Sequence, residues 1–266
     1  MNVSRVLFLA MVTLFWSTLG PMAHAQHIGD IFVGLNGNQL ITGQINPDQT
    51  IDTTARVFRS TFGDSGFPGF TANPGYDAAF IFNPASRIGF NILSPLQYWN
   101  GRGFEATGGE TIEISFLTLT RTTDVCVVPG FDLAVQANGG WHRHLSMFLN
   151  PPSGGSAAPG IYLLKLELYY TAPGFLDSPP YWIVFNHEVD AATHNAAFVW
   201  AQQNLPNPTC AADFNHDGTV NVNDLLAVIA DWGAAACNPT DLNGDGAVNV
   251  SDLLQVIGSW GSCPAP

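Results

Sequence analysis

The last quarter of the chain repeats itself. Asp213-Phe214-Asn215-His216-Asp217-Gly218-Thr219-Val220-Asn221-Val222-Asn223-Asp224 returns 28 residues later as Asp241-Leu242-Asn243-Gly244-Asp245-Gly246-Ala247-Val248-Asn249-Val250-Ser251-Asp252, and a Leu-Leu pair follows each copy. The register persists through Val228/Val256, Ile229/Ile257, Trp232/Trp260 and Gly233/Gly261. Two copies of one unit must fold alike and bury their apolar residues against each other. Residues 210–266 contain seven aspartates and no Lys, Arg or Glu, so nothing inside the segment offsets that charge. Cations from outside are needed to bring the carboxylates together.

In each copy oxygen-bearing side chains occupy positions 1, 3, 5, 9 and 12 of a loop, with glycine at position 6. That spacing wraps Ca²⁺ in an EF-hand-type loop, where position 7 adds a backbone carbonyl and the glycine permits a sharp turn. The ligand sets read as Asp213, Asn215, Asp217, Thr219, Asn221 and Asp224, then Asp241, Asn243, Asp245, Ala247, Asn249 and Asp252. Position 12 is Asp rather than the usual Glu, and no helix signal precedes either loop. Loop then helix, twice, resembles the type I dockerin domain. The resemblance implies a small all-α module of two loop–helix repeats, folded on two calcium ions and docked onto a cohesin-like partner. It also implies that positions 10 and 11 contribute to partner choice. Here they are Val222-Asn223 and Val250-Ser251, unlike the Ser-Thr pair of cellulosomal members. Leu225, Leu226, Val228, Ile229 and Trp232, with their second-copy equivalents, are expected in the module's core. Cys210, Cys237 and Cys263 punctuate the repeats. A Cys210–Cys263 clasp would join the module's ends, but spacing leaves the connectivity of these and Cys126 open.

The N-terminus reads as a secretory signal over residues 1–25. Arg5 precedes an apolar run from Val6 to Trp16, and Ala23-His24-Ala25 is a small-x-small cleavage site. The run is short for a membrane span, so no transmembrane segment is expected after cleavage, and the mature chain is expected to be secreted or on the cell surface. Residues 26–205 then form one block, joined to the repeats by a stiff 206–209 linker. Alternation in 111–120 and 161–170, with hairpin punctuation at Asn36-Gly37-Asn38, predicts strands. The fold class expected is mainly β: an antiparallel β-sandwich closed by one helix over 191–203, capped by Asp190.

A net charge of −13 argues against a nucleic-acid partner. Gly63-Asp64-Ser65-Gly66 spells a serine-protease nucleophile motif, yet Ser65 comes far too early in the chain, with only His27 before it in the mature chain. No nucleophile elbow or phosphate-binding loop appears either, so no positive signal marks an enzyme and no catalytic residue is assigned. The histidines carry more. His142 and His144, two apart on a strand, face one side. Together with His27 they make a candidate zinc set, with His187 and His194 in reserve. The blocks Asp30–Leu35, Phe67–Phe70, Arg87–Leu93 and Gly139–Leu145 look like those of a secreted bacterial family repressed by the zinc-uptake regulator, some members of which carry a PEP-CTERM sorting tail. That resemblance implies extracytoplasmic zinc handling. The competing class is a dockerin-borne carbohydrate-binding module or polysaccharide-degrading enzyme, with Trp99, Trp141, Trp182 and Tyr98 available to stack on sugar rings.

Overall fold

The structure is a computed structural model and describes residues 29–152, 155–205, 211–215, 217–234, 238–242 and 246–263. The signal segment, His27, the 206–209 linker, Cys210, Cys237, Asn243 and Asp245 lie outside the described residues.

Among the described residues the chain is mainly β, with several sheets and three helices. The longest strand, Gly160–Tyr170, organises the larger domain. Its alternation is real: Tyr162, Leu164, Leu166, Leu168 and Tyr170 all enter one core. The opposite face splits in two, because Ile161 and Leu163 join a second cluster while Lys165, Glu167 and Tyr169 do not. This strand is central in a sheet that runs Val128–Ala134, Arg87–Ile92, Gly160–Tyr170, Tyr181–His187, Val57–Thr61. A second sheet runs His142–Arg143, Tyr76–Ala78, Ile31–Asn36, Gln39–Ile45, Ile51–Asp52. A third runs Leu119–Thr122, Thr111–Phe116, Ser146–Asn150, Phe70–Thr71. The main core draws side chains from all three, including Ile31, Phe90, Ile112, Met147 and Phe185.

The helix Ala191–Asn204 begins at Asp190, whose carboxylate accepts the Thr193 N–H. It roofs the apolar half of the first sheet's outer face, with Ala197 and Ala201 against Val57, Ile161, Leu163, Trp182 and Val184. Two details differ from the sequence expectation. Among the described residues strand pairing is antiparallel except where Ile31–Val33 meets Tyr76–Ala78 and Trp182–Asn186 meets Val57–Thr61, both parallel, and at the isolated parallel bridge Gln39–Leu176. The 111–120 run folds back on itself as a hairpin, turning at Leu117, which takes φ 54°. Cys126 lies outside any strand and is disulfide-bonded, as is Cys263.

The repeats form a small helical unit. Val222–Ala230 and Val250–Gly258 each start with a capping box, Asn221 with Asp224 and Asn249 with Asp252. The segment after each helix pairs with the other copy's loop. Thr219–Val220 lies against Gly261–Ser262, and Gly233 donates to the Val248 carbonyl while Val248 donates to Ala234. Its buried core is Ala212, Val220, Val228, Val248 and Val256, with Leu225 and Leu253 packed beside it. The remaining expected core residues point outward. Leu226, Ile229 and Trp232 and their equivalents Leu254, Ile257 and Trp260 are each between 49% and 60% exposed. A nine-residue helix in so small a unit has one inward stripe, and positions 225 and 228 occupy it.

Candidate metal centres

Asp30, His142 and His144 meet at one end of the second sheet. Register explains how. Ile31 pairs with Tyr76, and Tyr76 with Arg143, so Asp30, Gly75 and His144 fall in one row across three strands. Gly75 has no side chain to stand between the other two. A Cβ there would sit 2.5 Å from His144 Cε1. The imidazole therefore lies over the glycine and reaches the aspartate two strands away. His142, two residues earlier, turns to the same side, although the run expected as one strand is broken into His142–Arg143 and Ser146–Asn150.

Three donor atoms converge. His142 Nε2 and His144 Nε2 are 3.2 Å apart. Asp30 Oδ2 is 3.4 Å from the first and 3.5 Å from the second. His144 Nδ1 and Asp30 Oδ1 are already engaged. His144 Nδ1 faces the Ala72 carbonyl at 2.9 Å, which places the proton there and leaves Nε2 a lone pair. Asp30 Oδ1 accepts the Gly75 N–H at 3.0 Å. The aspartate is buried and the two imidazole edges are a little over one-third exposed, so the cluster opens to solvent on one side. Tetrahedral coordination at about 2.0–2.1 Å spaces donors about 3.3–3.4 Å apart, whereas an octahedral ion at that bond length brings neighbouring donors to about 2.9 Å. The triad has the wider spacing.

Asp30 was absent from the histidine-only set, and a lone carboxylate before a strand carries no sequence signal. Parallel pairing of Ile31 with Tyr76 brings it in. The reserve histidines belong elsewhere. His194 is buried on the inner side of the helix Ala191–Asn204, its Nε2 3.0 Å from the Val184 carbonyl, and burial holds it below the usual imidazole range. His187 is buried with its ring edge-on to Phe62. Both are core residues. The four aromatic residues considered for sugar stacking fare similarly: Trp99, Trp141 and Trp182 are buried, and half-buried Tyr98 packs on Tyr162. Asp64 of the protease-like motif serves its own loop, accepting from Thr71 Oγ1 and Asn73 Nδ2.

In the first repeat loop Asp213, Asn215, Asp217, Thr219, Asn221 and Asp224 form one closed set. Asp213 Oδ2 accepts the Gly218 N–H at 2.9 Å and Asp217 Oδ1 that of Thr219 at 2.9 Å. Asn215 and Asn221 both donate to Asp217 Oδ2. Asp224, fully buried, accepts from Phe214 N and Asn221 N. In the second loop the described residues bond as their first-loop equivalents do: Asp241 accepts from Gly246, and Asp252 from Leu242 and Asn249. Gly218 and Gly246 take φ 84° and 92°, the left-handed turn expected at position 6. In the first loop these hydrogen bonds join the side chains of positions 1, 3, 5 and 9 to one another or to the loop backbone.

Residues 211–259 match the type I dockerin domain. A dockerin binds calcium and docks onto a cohesin, and proteins that carry one are typically extracellular or on the cell surface. No curated protein matches the chain. Among solved structures, the CooA pilin subunit from enterotoxigenic Escherichia coli aligns with 54% of this chain and 95% of its own, at 9% identity and a TM-score of 0.30. A family 123 glycoside hydrolase from Clostridium perfringens aligns with 50% of this chain and 22% of its own, at 12% identity and a TM-score of 0.27. Among the described residues no helix is long and apolar enough to cross a membrane.

Proposed function

We propose that the chain is an extracellular zinc-binding protein: a β domain over residues 26–205 holds the metal, and a dockerin over 210–266 moors it to a cohesin-like partner. The observation that carries the zinc reading is the convergence of Asp30 Oδ2, His142 Nε2 and His144 Nε2 at 3.2–3.5 Å separations. Two imidazoles and a carboxylate at tetrahedral spacing suit a borderline cation such as Zn²⁺ better than the all-oxygen preference of Ca²⁺ or Mg²⁺. His27, three residues before Asp30, is the fourth donor in this reading. Bound zinc would fasten the two-residue edge strand His142–Arg143 to the start of Ile31–Asn36, and the solvent-open side suits uptake and release of the ion. Metal analysis of the purified full chain tests the reading: one zinc and two calcium per chain are expected, and a chain that takes up no zinc overturns it.

The calcium ligand sets are proposed as the two sixfold groups above. Asp217→Ala removes the position-5 carboxylate, on which Asn215 and Asn221 also converge. Calorimetric titration should show the first site weakened at least tenfold with the second retaining its ligands. Two unaltered sites would show the ligand register to be misplaced.

The outward faces of the two helices support the mooring. Val222, Leu226, Ile229 and Trp232 make one apolar stripe, and Val250, Leu254, Ile257 and Trp260 an equivalent one. Either can present the same chemistry to a cohesin. Trp232→Ala or Trp260→Ala alone should therefore change affinity by no more than about threefold, while the double substitution should lower it at least a hundredfold, as paired loss of a central aromatic anchor does. Surface plasmon resonance against an immobilised cohesin reads this, and a double variant that binds like the wild type would refute the assignment.

A further inference from the structure

The outer face of the first sheet is roofed by a helix over one half only. The other half is a strip of polar side chains around a single aromatic ring. Register again explains the arrangement. Tyr169 pairs with Gly89, and Gly89 with Asp132, so the three stand in one row. A Cβ on Gly89 would lie 2.3 Å from Tyr169 Cζ. The phenol ring is thus laid across the glycine, and its hydroxyl reaches Asp132 Oδ2 on the next strand at 3.3 Å. This is the device that brings His144 over Gly75 to Asp30, with an aromatic platform in place of a ligand. Gly130, at the bulge in the adjoining strand, lets that strand lie close against the Phe90 backbone, since a Cβ there would meet the Phe90 carbonyl at 1.8 Å.

The rows on either side supply hydrogen-bonding groups of both kinds. Asn91 donates to Glu167 Oε1 at 2.9 Å, and Lys165 stands beside them with its ammonium over the Trp182 ring. On the other flank Arg87 pairs with Asp132. Lys165, Arg87 and Arg121 against Glu167, Asp132 and Asp177 leave the strip with no net charge. Burial and neighbouring Asp132 push the Tyr169 hydroxyl up to about 12, so it remains a donor across the physiological range. Cross-strand cover of a glycine accounts for the ring alone. It does not account for the half-buried row of Asn91, Glu167 and Lys165 beside it, which no helix among the described residues covers.

We propose that this strip binds a neutral polysaccharide, with one sugar ring stacked on Tyr169 and its hydroxyls met by Asn91, Glu167, Lys165 and the Arg87–Asp132 pair. An apolar ring face with a few fixed polar groups around it is the pattern that orients a polyhydroxylated ligand, and the balanced charge disfavours an ionic one. The inference is independent of the zinc reading, since Asp30 and the two histidines lie on another sheet.

Native affinity electrophoresis of the full chain tests it, through gels containing barley β-glucan, galactomannan or arabinoxylan, with polygalacturonate as the charged comparison. Retardation is expected in at least one neutral gel. Tyr169→Ala should weaken it at least tenfold and Asn91→Ala about threefold to tenfold, while Tyr169→Phe, which keeps the ring, should stay within about threefold. Thermal melts accompany each variant, and Asn91→Ala and Tyr169→Phe decide the matter if Tyr169→Ala fails to fold. Migration of the wild type unchanged in all three neutral gels, retardation confined to polygalacturonate, or retardation indifferent to Asn91 and Tyr169 would overturn the proposal.

Discussion

Withdrawal of calcium should unfold the two C-terminal helices and leave the sheets of the larger domain standing. The core of that unit is one alanine and four valines, Ala212, Val220, Val228, Val248 and Val256. A module of this size does not hold itself together on such a core without a staple. Three carboxylates also crowd each loop, Asp213, Asp217 and Asp224 in the first and Asp241, Asp245 and Asp252 in the second. Two Ca²⁺ ions would offset four of those six charges and, in the proposed ligand sets, tie each loop to the first turn of its helix through Asp224 and Asp252. At a thousandfold excess over its dissociation constant each ion contributes about 4 kcal/mol, enough to decide whether the unit folds. Because each post-helix segment pairs with the other copy's loop, failure of either loop loosens both helices. Hydrogen exchange of the full chain in a calcium chelator should show amide protection in 222–230 and 250–258 falling at least a hundredfold. Protection in 160–170 should hold, and Ca²⁺ should restore the helices where Mg²⁺ does not. Helices that stay protected without calcium would show that the module folds on its core and disulfide alone.

What was legible in the residues followed from local spacing. The repeat announced its own loops and helices, since Asp, Asn and Gly at fixed positions leave one way to turn, and both capping boxes lie within those same twelve residues. The strand 160–170 was legible because alternate residues are apolar, and the closing helix because Asp190 precedes a run free of Gly and Pro. Local spacing could not separate the two stripes of a short helix. Leu225 and Leu226 look alike in the chain, and only the packing of Val228 against Val256 turns the first inward and the second outward. Nor could it place residues brought together by register. Asp30, Gly75 and His144 are neighbours because a parallel pair adjoins an antiparallel one. The histidine pair was visible and its carboxylate was not, while His187 and His194 drew notice as histidines before the fold buried them.

Replacement of both His142 and His144 by alanine should abolish zinc binding and leave two calcium ions per chain. Each histidine supplies one of the four proposed donors, and Asp30 with His27 alone makes a weak two-ligand site. Loss of a single histidine should weaken zinc at least tenfold. Asp30→Asn should do the same with little change of shape, because the amide keeps the Gly75 contact geometry but not the charge. Gly75→Ala separates arrangement from donor chemistry. It removes no ligand, yet its methyl would lie 2.5 Å from the His144 ring and lever the imidazole off the row that leads to Asp30. Zinc affinity should fall at least tenfold in that variant, while calcium stoichiometry and the helical signal of the C-terminal module stay at wild-type values. Competition titration with a chromogenic zinc chelator, run beside metal analysis of the dialysed proteins, measures all four. Equal zinc in the wild type and the double variant would place the ion elsewhere. A Gly75→Ala chain that binds as tightly as the wild type would show that the ring reaches Asp30 by some route other than the gap the glycine leaves.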